Sequence, residues 1–384
     1  MHKRKDDLLL LVIVTLFWFA QYIFVPFLSP HLTALGITAS FAGVIMGSYG
    51  IAQLILRIPI SVTEDVSGRH KTFILAGLGV LALATVIPLL SAAPAAYLIS
   101  RVLTGVAAST WVSYTAAFTQ NAEDVKARMG RLIAANNLGV MLSYVASAVL
   151  FQHVGMNGLF AVSTGSSLLA AVLTLGWKPE EMRLTKRFEP QTLVKVISNR
   201  HLLKCAFLTA LGQMVVFATS SSFVSNFAKD MGADSVMLSV IAAAFNALGV
   251  VTSWLYARGA LKKLSERGQL MLAFLLLGIY CALLPLCAAP WQIALVQLVG
   301  GAARAIMYTL LMAIAPREIP AEAKTTANGV FQSVYSLGMT AGPVVMGALI
   351  DLSGSYAVSF LLMGGAAMAG VMWALLCFGG KKSA

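Results

Sequence analysis

The sequence predicts an all-α polytopic membrane protein in which twelve transmembrane helices form two pseudo-symmetric six-helix bundles. Three observations carry this prediction. The 384 residues are 59% hydrophobic and only 11% charged, a composition that excludes a soluble globular protein. The chain divides into twelve apolar segments, each close to the roughly 20 residues that a helix needs to cross about 30 Å of hydrocarbon. The cationic residues between them concentrate on one side of the predicted membrane.

The apolar segments follow one another with short connections. A basic start precedes the first segment, as in a secretory signal, but this run is too long and no small-residue cleavage site follows it, so we assign it as the first span. The Ser/Thr run Thr219–Ser222 in span 7 is expected to loosen that helix, because hydroxyl groups bond back to the preceding turn. The twelve spans are 8–28, 40–62, 72–91, 95–119, 131–151, 157–177, 204–228, 235–257, 270–288, 291–315, 327–351 and 356–378.

The longest hydrophilic stretch divides the chain into six spans and six. We therefore expect an N-terminal bundle over 1–177, a central loop over 178–203 and a C-terminal bundle over 204–384. The loop sequence from Pro190 predicts a short amphipathic helix on the inner membrane face. At an offset of 199 residues, Leu138-Gly139, Leu150 and Gly155 match Leu337-Gly338, Leu349 and Gly354. Duplicated halves of this kind are typical of secondary transporters, whose substrate sites lie near the midplane between the repeats.

The distribution of charge predicts the orientation. Of the 27 Lys and Arg residues, all but Lys229, Arg57, Arg101 and Arg304 fall in segments on the side of the N-terminus. Cationic loops resist translocation, so both termini are expected in the cytoplasm, with the chain in a plasma membrane of bacterial inner-membrane type. The net charge of +12 then reflects topology and attraction to anionic membrane lipids, and we expect no nucleic-acid partner.

No cofactor, metal or enzyme motif is recognised. The four cysteines form no CxxC pair, no phosphate-binding Gly loop or catalytic triad is present, and no metal-ligand cluster stands out. We therefore expect no cofactor, no metal and no enzymatic activity. The glycines at Gly43-xxx-Gly47 and Gly338-xxx-Gly342 are typical of close helix packing. Nothing in the sequence indicates an oligomer, and we expect a monomer.

Two motifs resemble those of the major facilitator superfamily. In the loop after span 2, Asp65, Gly68, Arg69 and Lys71 match the signature of that family, although Ser61 and Val66 depart from it. Arg101-Val-Leu-Thr-Gly105 in span 4 is similar to the family's Arg-xxx-Gly motif. The resemblance implies the major facilitator fold and is strongest to the twelve-span drug and metabolite exporters. It also implies a gating cluster, for which we name Asp65, Gly68, Arg69, Lys71 and Arg57.

One departure bears on the direction and energetics of transport. Exporters of that branch carry a Gly-Pro pair in span 5, where this chain has Ser143-Tyr144, and the comparable Gly342-Pro343 lies in span 11. Export is therefore favoured only slightly over uptake. None of the fifteen acidic residues lies at the centre of a span, so proton coupling by a central carboxylate is not expected. Protons coupled through a peripheral group (Asp65, Asp351, His31 or His153) and anion exchange both stay open.

The charges inside the spans are all cationic, and they are Arg57, Arg101 and Arg304. A charge at mid-membrane costs about 2.5–3.5 kcal/mol on insertion scales, so it normally faces a cavity or a partner. Arg304 is the leading substrate residue, with Tyr308 one turn along on the same face. Arg101 is assigned to a coupling network or to substrate contact, and Arg57 to the gate. Further candidates for a polar and aromatic cavity lining are Gln21, Trp111, Tyr114, Asn136, Asn137, Gln213, Asn246, Gln332 and Tyr335.

The sequence thus predicts a secondary transporter for a small organic solute, anionic or zwitterionic, that works by alternating access. Three alternatives stay open: an efflux pump for lipophilic drugs, a facilitator or uptake carrier for an organic anion, and a membrane receptor or scaffold without transport activity. Lipophilic cations are disfavoured because no central acid is available to attract them.

Overall fold

The computed structural model describes residues 2–119, 125–178, 190–320 and 323–378. Helices dominate this part of the chain, and they are numbered here in chain order: α1 His2–Tyr22, α2 Val25–Ala34, α3 Ala39–Ser67, α4 His70–Leu90, α5 Pro94–Ser109, α6 Trp111–Thr119, α7 Val125–Gly176, α8 Pro190–Ile197, α9 Arg200–Ala218, α10 Val224–Asp230, α11 Ser235–Ala257, α12 Glu266–Leu283, α13 Pro290–Ile314, α14 Lys324–Ser353 and α15 Tyr356–Cys377.

Eleven helical segments within the described residues are long and apolar enough to cross a membrane. One of them, residues 128–176 within α7, has 49 residues, which is twice the usual length. Gly155 interrupts α7 with φ 61° and ψ −164°, a conformation open essentially to glycine alone. The two parts of α7 are the predicted spans 5 and 6, so the prediction of twelve spans is confirmed.

Three spans are interrupted in ways that the hydropathy pattern only partly indicates. The first span consists of α1 and α2, and span 4 breaks at Thr110 between α5 and α6. Span 7 consists of α9, a π-helical turn over Thr219–Phe223 and α10. The expected loosening at Thr219–Ser222 is therefore confirmed. Such turns insert one extra residue into a helix and are frequent at functional sites.

Helix α14 packs closely against two helices through glycines. A β-carbon added at Gly43 or Gly47 of α3 would lie 2.2 or 2.5 Å from a backbone carbonyl oxygen of α14. On another face of α14, a β-carbon at Gly338 would lie 1.8 Å from the carbonyl oxygen of Ala210, and one at Gly342 would lie 2.2 Å from that of Met214. The packing role predicted for both Gly-xxx-Gly pairs is confirmed, because any larger side chain would push the helices apart.

The internal repeat is visible at equivalent glycines. A β-carbon added at Gly139 of α7 would lie 2.3 Å from the carbonyl oxygen of Thr15 in α1, and Gly338 makes the corresponding approach of α14 to α9. Gly155 and Gly354 each have a φ of 61°. The same residue type therefore makes the same helix contact in both halves, and glycine has a positive φ at both turns, although ψ differs (−164° at Gly155 and 17° at Gly354).

The two ends of the helical assembly differ in charge. We call the end that carries Arg69, Arg128, Arg258 and Arg317 the basic end, and the other the opposite end. At the basic end, Arg128 pairs with Asp7, and Arg317 pairs with Glu266. At the opposite end, the Asp351 carboxylate of α14 accepts hydrogen bonds from the backbone N–H groups of Ala39 and Ser40, at 3.1 and 2.8 Å. This carboxylate caps the first turn of α3 and joins the two halves.

The central loop is described only in part. Helix α8 forms from Pro190, where the sequence predicts a short helix. Residues 179–189 of the predicted loop lie outside the described residues. The bundle boundaries at 177 and 204 stay a prediction.

Candidate binding cavity

A central cavity lies between helices of the two halves. It contains about 510 Å³ of empty space, part of it open to solvent. The walls come from the junction of α1 with α2, from α7, α9, the π turn, α10, α11 and α13, and the lining residues are Tyr22, Val25, Pro26, Tyr144, Val216, Phe217, Ser220, Ser221, Ser225, Ala242, Phe245, Asn246 and Arg304.

Arg304 supplies the positive charge of this cavity. Its guanidinium makes no hydrogen bond or ion pair with any described residue, and its buried Nε has no partner. Of the five N–H donors of this half-buried residue, the Nε–H is buried without a partner, which is costly away from bulk water. The described lining contains no carboxylate. The arrangement is therefore suited to bind an anionic group.

Close helix packing brings Arg304 next to the polar residues of α11. A β-carbon at Gly301, three residues before Arg304, would lie only 1.9 Å from the carbonyl oxygen of Phe245. The neighbouring Asn246 donates to the Tyr144 hydroxyl at 3.4 Å and to the carbonyl oxygen of Ala242 at 3.1 Å. Glycine at position 301 thus lets α13 approach α11 and form one continuous wall.

Arg57 is, by contrast, bound by the protein. Its side chain is 5% exposed, and it donates to Tyr335 Oη at 2.9 Å, to the carbonyl oxygen of Gln332 at 3.3 Å and to Oε1 of Gln53. Gln332 and Tyr335 belong to α14, so this arginine joins α3 to the other half of the molecule. Tyr335 in turn lies 3.4 Å from the hydroxyl of Tyr308.

Arg101 is held mainly by an aromatic ring. Its guanidinium carbon lies 4.7 Å from the centre of the Tyr49 ring, a cation–π distance, and one nitrogen lies 3.5 Å from Thr104 Oγ1. Gly105 makes this contact feasible, because a β-carbon there would lie 2.4 Å from the carbonyl oxygen of Tyr49. The Arg-xxx-Gly spacing thus has a physical reason: glycine brings α5 against α3, and the arginine one turn away reaches the ring.

Tyrosines connect the three arginines. Tyr22 lies within electrostatic range of Arg57, Arg101 and Arg304. Tyr49 is within range of the first two, and Tyr308 is within range of Arg57 and Arg304. The structure therefore brings together all three arginines predicted from the sequence, with Tyr308, Tyr335 and Gln332 around them and Asn246 in the cavity wall.

Other predicted lining residues lie elsewhere. Gln21 is buried and donates to the carbonyl oxygen of Thr104 at 3.0 Å. Trp111 packs edge-on against Trp18 with ring centres 5.4 Å apart, and Tyr114 packs against Phe17 at 5.2 Å. These three residues belong to the packing within the first half. Gln213 is 3% exposed, and its side-chain oxygen has no partner among the described atoms. Asn136 and Asn137 are half-buried on α7.

The predicted gating residues surround the turn between α3 and α4. Gly68 ends α3 with φ 64°, and its N–H donates to the carbonyl oxygen of Glu64 at 2.8 Å. Lys71 donates to the carbonyl oxygens of Leu175 and Trp177 at 2.8 and 2.7 Å. Arg69 is exposed at the N-cap of α4. The side chain of Asp65 lies outside the described part of the chain.

Sequence reasoning missed several residues of this region. Tyr49 lies against Arg101, Tyr22 and Tyr144 line the cavity with Arg304, and Gln53 binds Arg57. A usable signal existed for Tyr144, since it occupies the position where the resembling exporters carry proline. A buried pair was also missed at the basic end, where Glu64 Oε1 and His70 Nδ1 are 3.2 Å apart and the side chains are 2% and 3% exposed.

Comparisons with known proteins agree with this architecture. The sequence model of the family described as Major Facilitator Superfamily matches residues 10–338 and, in a second match, 259–383. An uncharacterised MFS-type transporter of Methanocaldococcus jannaschii is 23% identical over 346 residues, which cover 86% of this chain and 87% of the relative.

Solved structures show the same fold. The nucleoside transporter NupG, as its D323A mutant, aligns with a TM-score of 0.78 at 13% identity, over 96% of this chain and all of that one. The human organic anion transporter MFSD10 aligns with a TM-score of 0.74 at 16% identity, over 97% of this chain and all of that one. A bacterial homologue of the human lysosomal transporter Spinster, inward-facing and occupied, gives 0.74 at 12% identity, over 98% and 95%. With family matches over most of its length and twelve spans in the corresponding fold, the chain belongs to the major facilitator superfamily.

Proposed function

We propose that the protein is a secondary transporter that carries a small organic solute with a negative or zwitterionic charge by alternating access. The observation that carries the proposal is the unpartnered guanidinium of Arg304 in the central cavity. An intramembrane arginine costs about 2.5–3.5 kcal/mol on insertion scales, and an anionic solute would offset that cost while it is bound. The Nε of each of the other two arginines is also buried without a partner, but their terminal nitrogens have protein partners and those of Arg304 have none among the described residues, which makes Arg304 the proposed substrate residue.

The similarity to the human organic anion transporter MFSD10 is compatible with an anionic solute, but at 16% identity it supports the fold alone. Motif resemblance favours export slightly, with the basic end in the cytoplasm of a bacterial-type inner membrane. The missing Gly-Pro pair in span 5 is the reason why uptake or facilitated diffusion stays the alternative direction.

The proposal also covers the ion to which transport is coupled. The described cavity lining has no carboxylate that protonation would neutralise. We therefore favour exchange of organic anions, with protons as the alternative coupling ion. Substrate flux into proteoliposomes is measured with and without an imposed pH gradient. A flux that rises several-fold with the gradient would indicate proton coupling and overturn the proposal of anion exchange.

A second candidate function is the efflux of lipophilic drugs. Trp18 lies 5.4 Å from Trp111 and 5.8 Å from Tyr22, measured between ring centres, so aromatic surface continues from the first half toward the cavity. In that case the guanidinium of Arg304 would have a structural role. Lipophilic cations stay disfavoured, because the positively charged cavity would repel them.

The test compares the wild-type protein with Arg304→Gln, and uses Arg258→Gln at the basic end as the charge-matched control. Purified proteins are heated with anionic, zwitterionic, neutral lipophilic and cationic solutes. A ligand at a hundredfold excess over its Kd stabilises the folded state by about 2.7 kcal/mol. We expect stabilisation by anions in the wild type and in the control, and its loss in Arg304→Gln. Equal stabilisation of all three proteins by neutral lipophilic compounds alone would favour drug efflux instead.

A further inference from the structure

The wall of the cavity that contains Arg304 includes a helix irregularity. Residues Thr219–Phe223 form a π turn, and two of its serines, Ser220 and Ser221, line the cavity together with Arg304. The widened turn presents neighbouring hydroxyl groups to the same space. Packing on the other side of the turn decides which of them has a fixed orientation.

A buried relay orients Ser220. The hydroxyl of Tyr280 donates to Oε1 of Gln297 at 2.9 Å, and both side chains are fully buried. An amide whose oxygen accepts this bond directs its nitrogen the other way, and Nε2 of Gln297 donates to Oγ of Ser220 at 3.2 Å. The serine oxygen is thereby an acceptor toward the protein. Its single proton is left to donate into the cavity.

The remaining walls limit the chemistry of the solute. Among the described residues only Arg304 brings a positive charge to the cavity, so a solute with one negative charge is matched and a polyacid is not. Phe217, Phe245 and Val216 supply apolar surface, and Tyr22 and Tyr144 add aromatic rings. The roughly 510 Å³ of empty space includes open solvent, so it limits the size of the solute only from above, to a small molecule.

From these observations we infer that the solute is a small amphipathic monocarboxylate with an aromatic or branched apolar body, whose carboxylate binds between Arg304 and the hydroxyl of Ser220. Gln297 is a positioning residue that holds the Ser220 proton toward the cavity. This inference rests on the proposed function and names the substrate class of that site.

The experiment uses 3-phenylpropionate and its neutral amide, 3-phenylpropanamide, as a matched pair of probes, with citrate as a polyacid. Dissociation constants are measured by calorimetry on the full-length purified protein. The wild type is compared with Ser220→Ala, Gln297→Leu and Ser359→Ala, the last of which removes a buried hydroxyl of α15 that does not line the cavity. The readout is the ratio of carboxylate affinity to amide affinity, because general structural damage weakens both probes alike.

We expect the wild type to prefer the carboxylate over the amide. The preference should fall about tenfold in Ser220→Ala, since hydrogen bonds to charged groups are stronger than those to neutral ones. It should also fall in Gln297→Leu, whereas Ser359→Ala keeps the wild-type ratio. An unchanged ratio in both relay variants overturns the inference, and so does citrate that binds as tightly as the monocarboxylate.

The Arg304→Gln variant distinguishes a failure of this inference from a failure of the proposed function. If carboxylate binding requires Arg304 but not Ser220, the proposed function stands and this inference fails. If no carboxylate binds the wild type, while neutral compounds do, both fail.

Discussion

The two halves of the molecule meet along two different pairs of helices. Between α3 and α14, Gly43, Gly47 and Gly50 bring the backbones into direct contact, and the buried Arg57 cluster crosses the boundary. Between α7 and α11, the contacts are polar side chains: Ser147 and Ser239 are 3.1 Å apart, and Asn246 donates to Tyr144 at 3.4 Å. The two pairs are equivalent in the internal repeat. The α3–α14 pair is nevertheless in close backbone contact, whereas the α7–α11 pair is joined by a few side-chain hydrogen bonds.

This difference indicates which helix contact can open during alternating access. Small residues in backbone contact resist sliding, because van der Waals packing is lost at once when helices separate in lipid. Isolated hydrogen bonds between side chains in a membrane average about 0.6 kcal/mol each, which a conformational cycle can break. We therefore expect the α3–α14 contact to act as the axis of alternating access and the α7–α11 contact to open and close beside the cavity.

The largest expected effect comes from a substitution that forces α3 and α14 apart. In Gly47→Leu, the added β-carbon would start 2.5 Å from the carbonyl oxygen of Thr340. Overpacking of this kind costs about 3 kcal/mol. We expect the melting temperature of the detergent-solubilised protein to fall by roughly 5 °C or more. Gly79→Leu is the control, since nothing lies within 4 Å of a β-carbon there. Equal loss of stability in both variants would contradict a special role for this contact.

A cross-link between α7 and α11 tests the moving boundary. Ser147→Cys combined with Ser239→Cys, in a protein whose four native cysteines are replaced, brings two thiols to positions where the hydroxyl oxygens are 3.1 Å apart. Oxidation should reduce substrate flux at least tenfold, and a reducing agent should restore it. The single-cysteine variants are the controls. Full transport by the oxidised double variant would exclude movement at this boundary.

Arg57 and Arg304 are expected to differ in how much they contribute to the stability of the fold. Arg57→Gln leaves the buried hydroxyl of Tyr335 and the side-chain oxygen of Gln53 without their donor, which should cost about 1–3 kcal/mol of stability. Arg304→Gln removes no hydrogen bond among the described residues, so we expect the unliganded protein to melt within about 1 °C of the wild type. Melting curves without solute decide the point. A larger loss for Arg304→Gln than for Arg57→Gln would assign Arg304 to the structure.

The smallest expected effect concerns Tyr144. Tyr144→Phe keeps the ring but removes the hydroxyl that accepts the long, 3.4 Å hydrogen bond of Asn246. A weak contact at the moving boundary should change substrate flux less than about threefold, measured beside Tyr114→Phe, whose buried hydroxyl in the first half has no described partner. A tenfold change would indicate that this hydroxyl binds the solute directly.

The fold was largely readable from the sequence, because membrane spans depend on length and hydropathy, and close helix contacts in lipid depend on small residues. Gly43, Gly47, Gly338 and Gly342 pack as their spacing predicts. The site was only partly readable. Arg304 stands out as a charge without a partner in its own helix, whereas the relay through Tyr280 and Gln297 joins different helices and leaves no local pattern. Gln21 and Gln297 are both buried in-span glutamines, and only the three-dimensional arrangement brings one of them, Gln297, into contact with a residue of the cavity wall.

The cap that Asp351 provides for α3 has a kinetic consequence. Both of its hydrogen bonds are exposed to solvent, so water can take the place of the carboxylate when this end of the α3–α14 axis pivots. Little free energy is then lost when the contact opens, in contrast to the buried Arg57 cluster. Since each 1.36 kcal/mol of barrier changes a rate tenfold, a closure that water can replace permits rapid turnover. We therefore expect the opposite end to close through a contact that water can replace, which limits leakage of solute without slowing the conformational cycle.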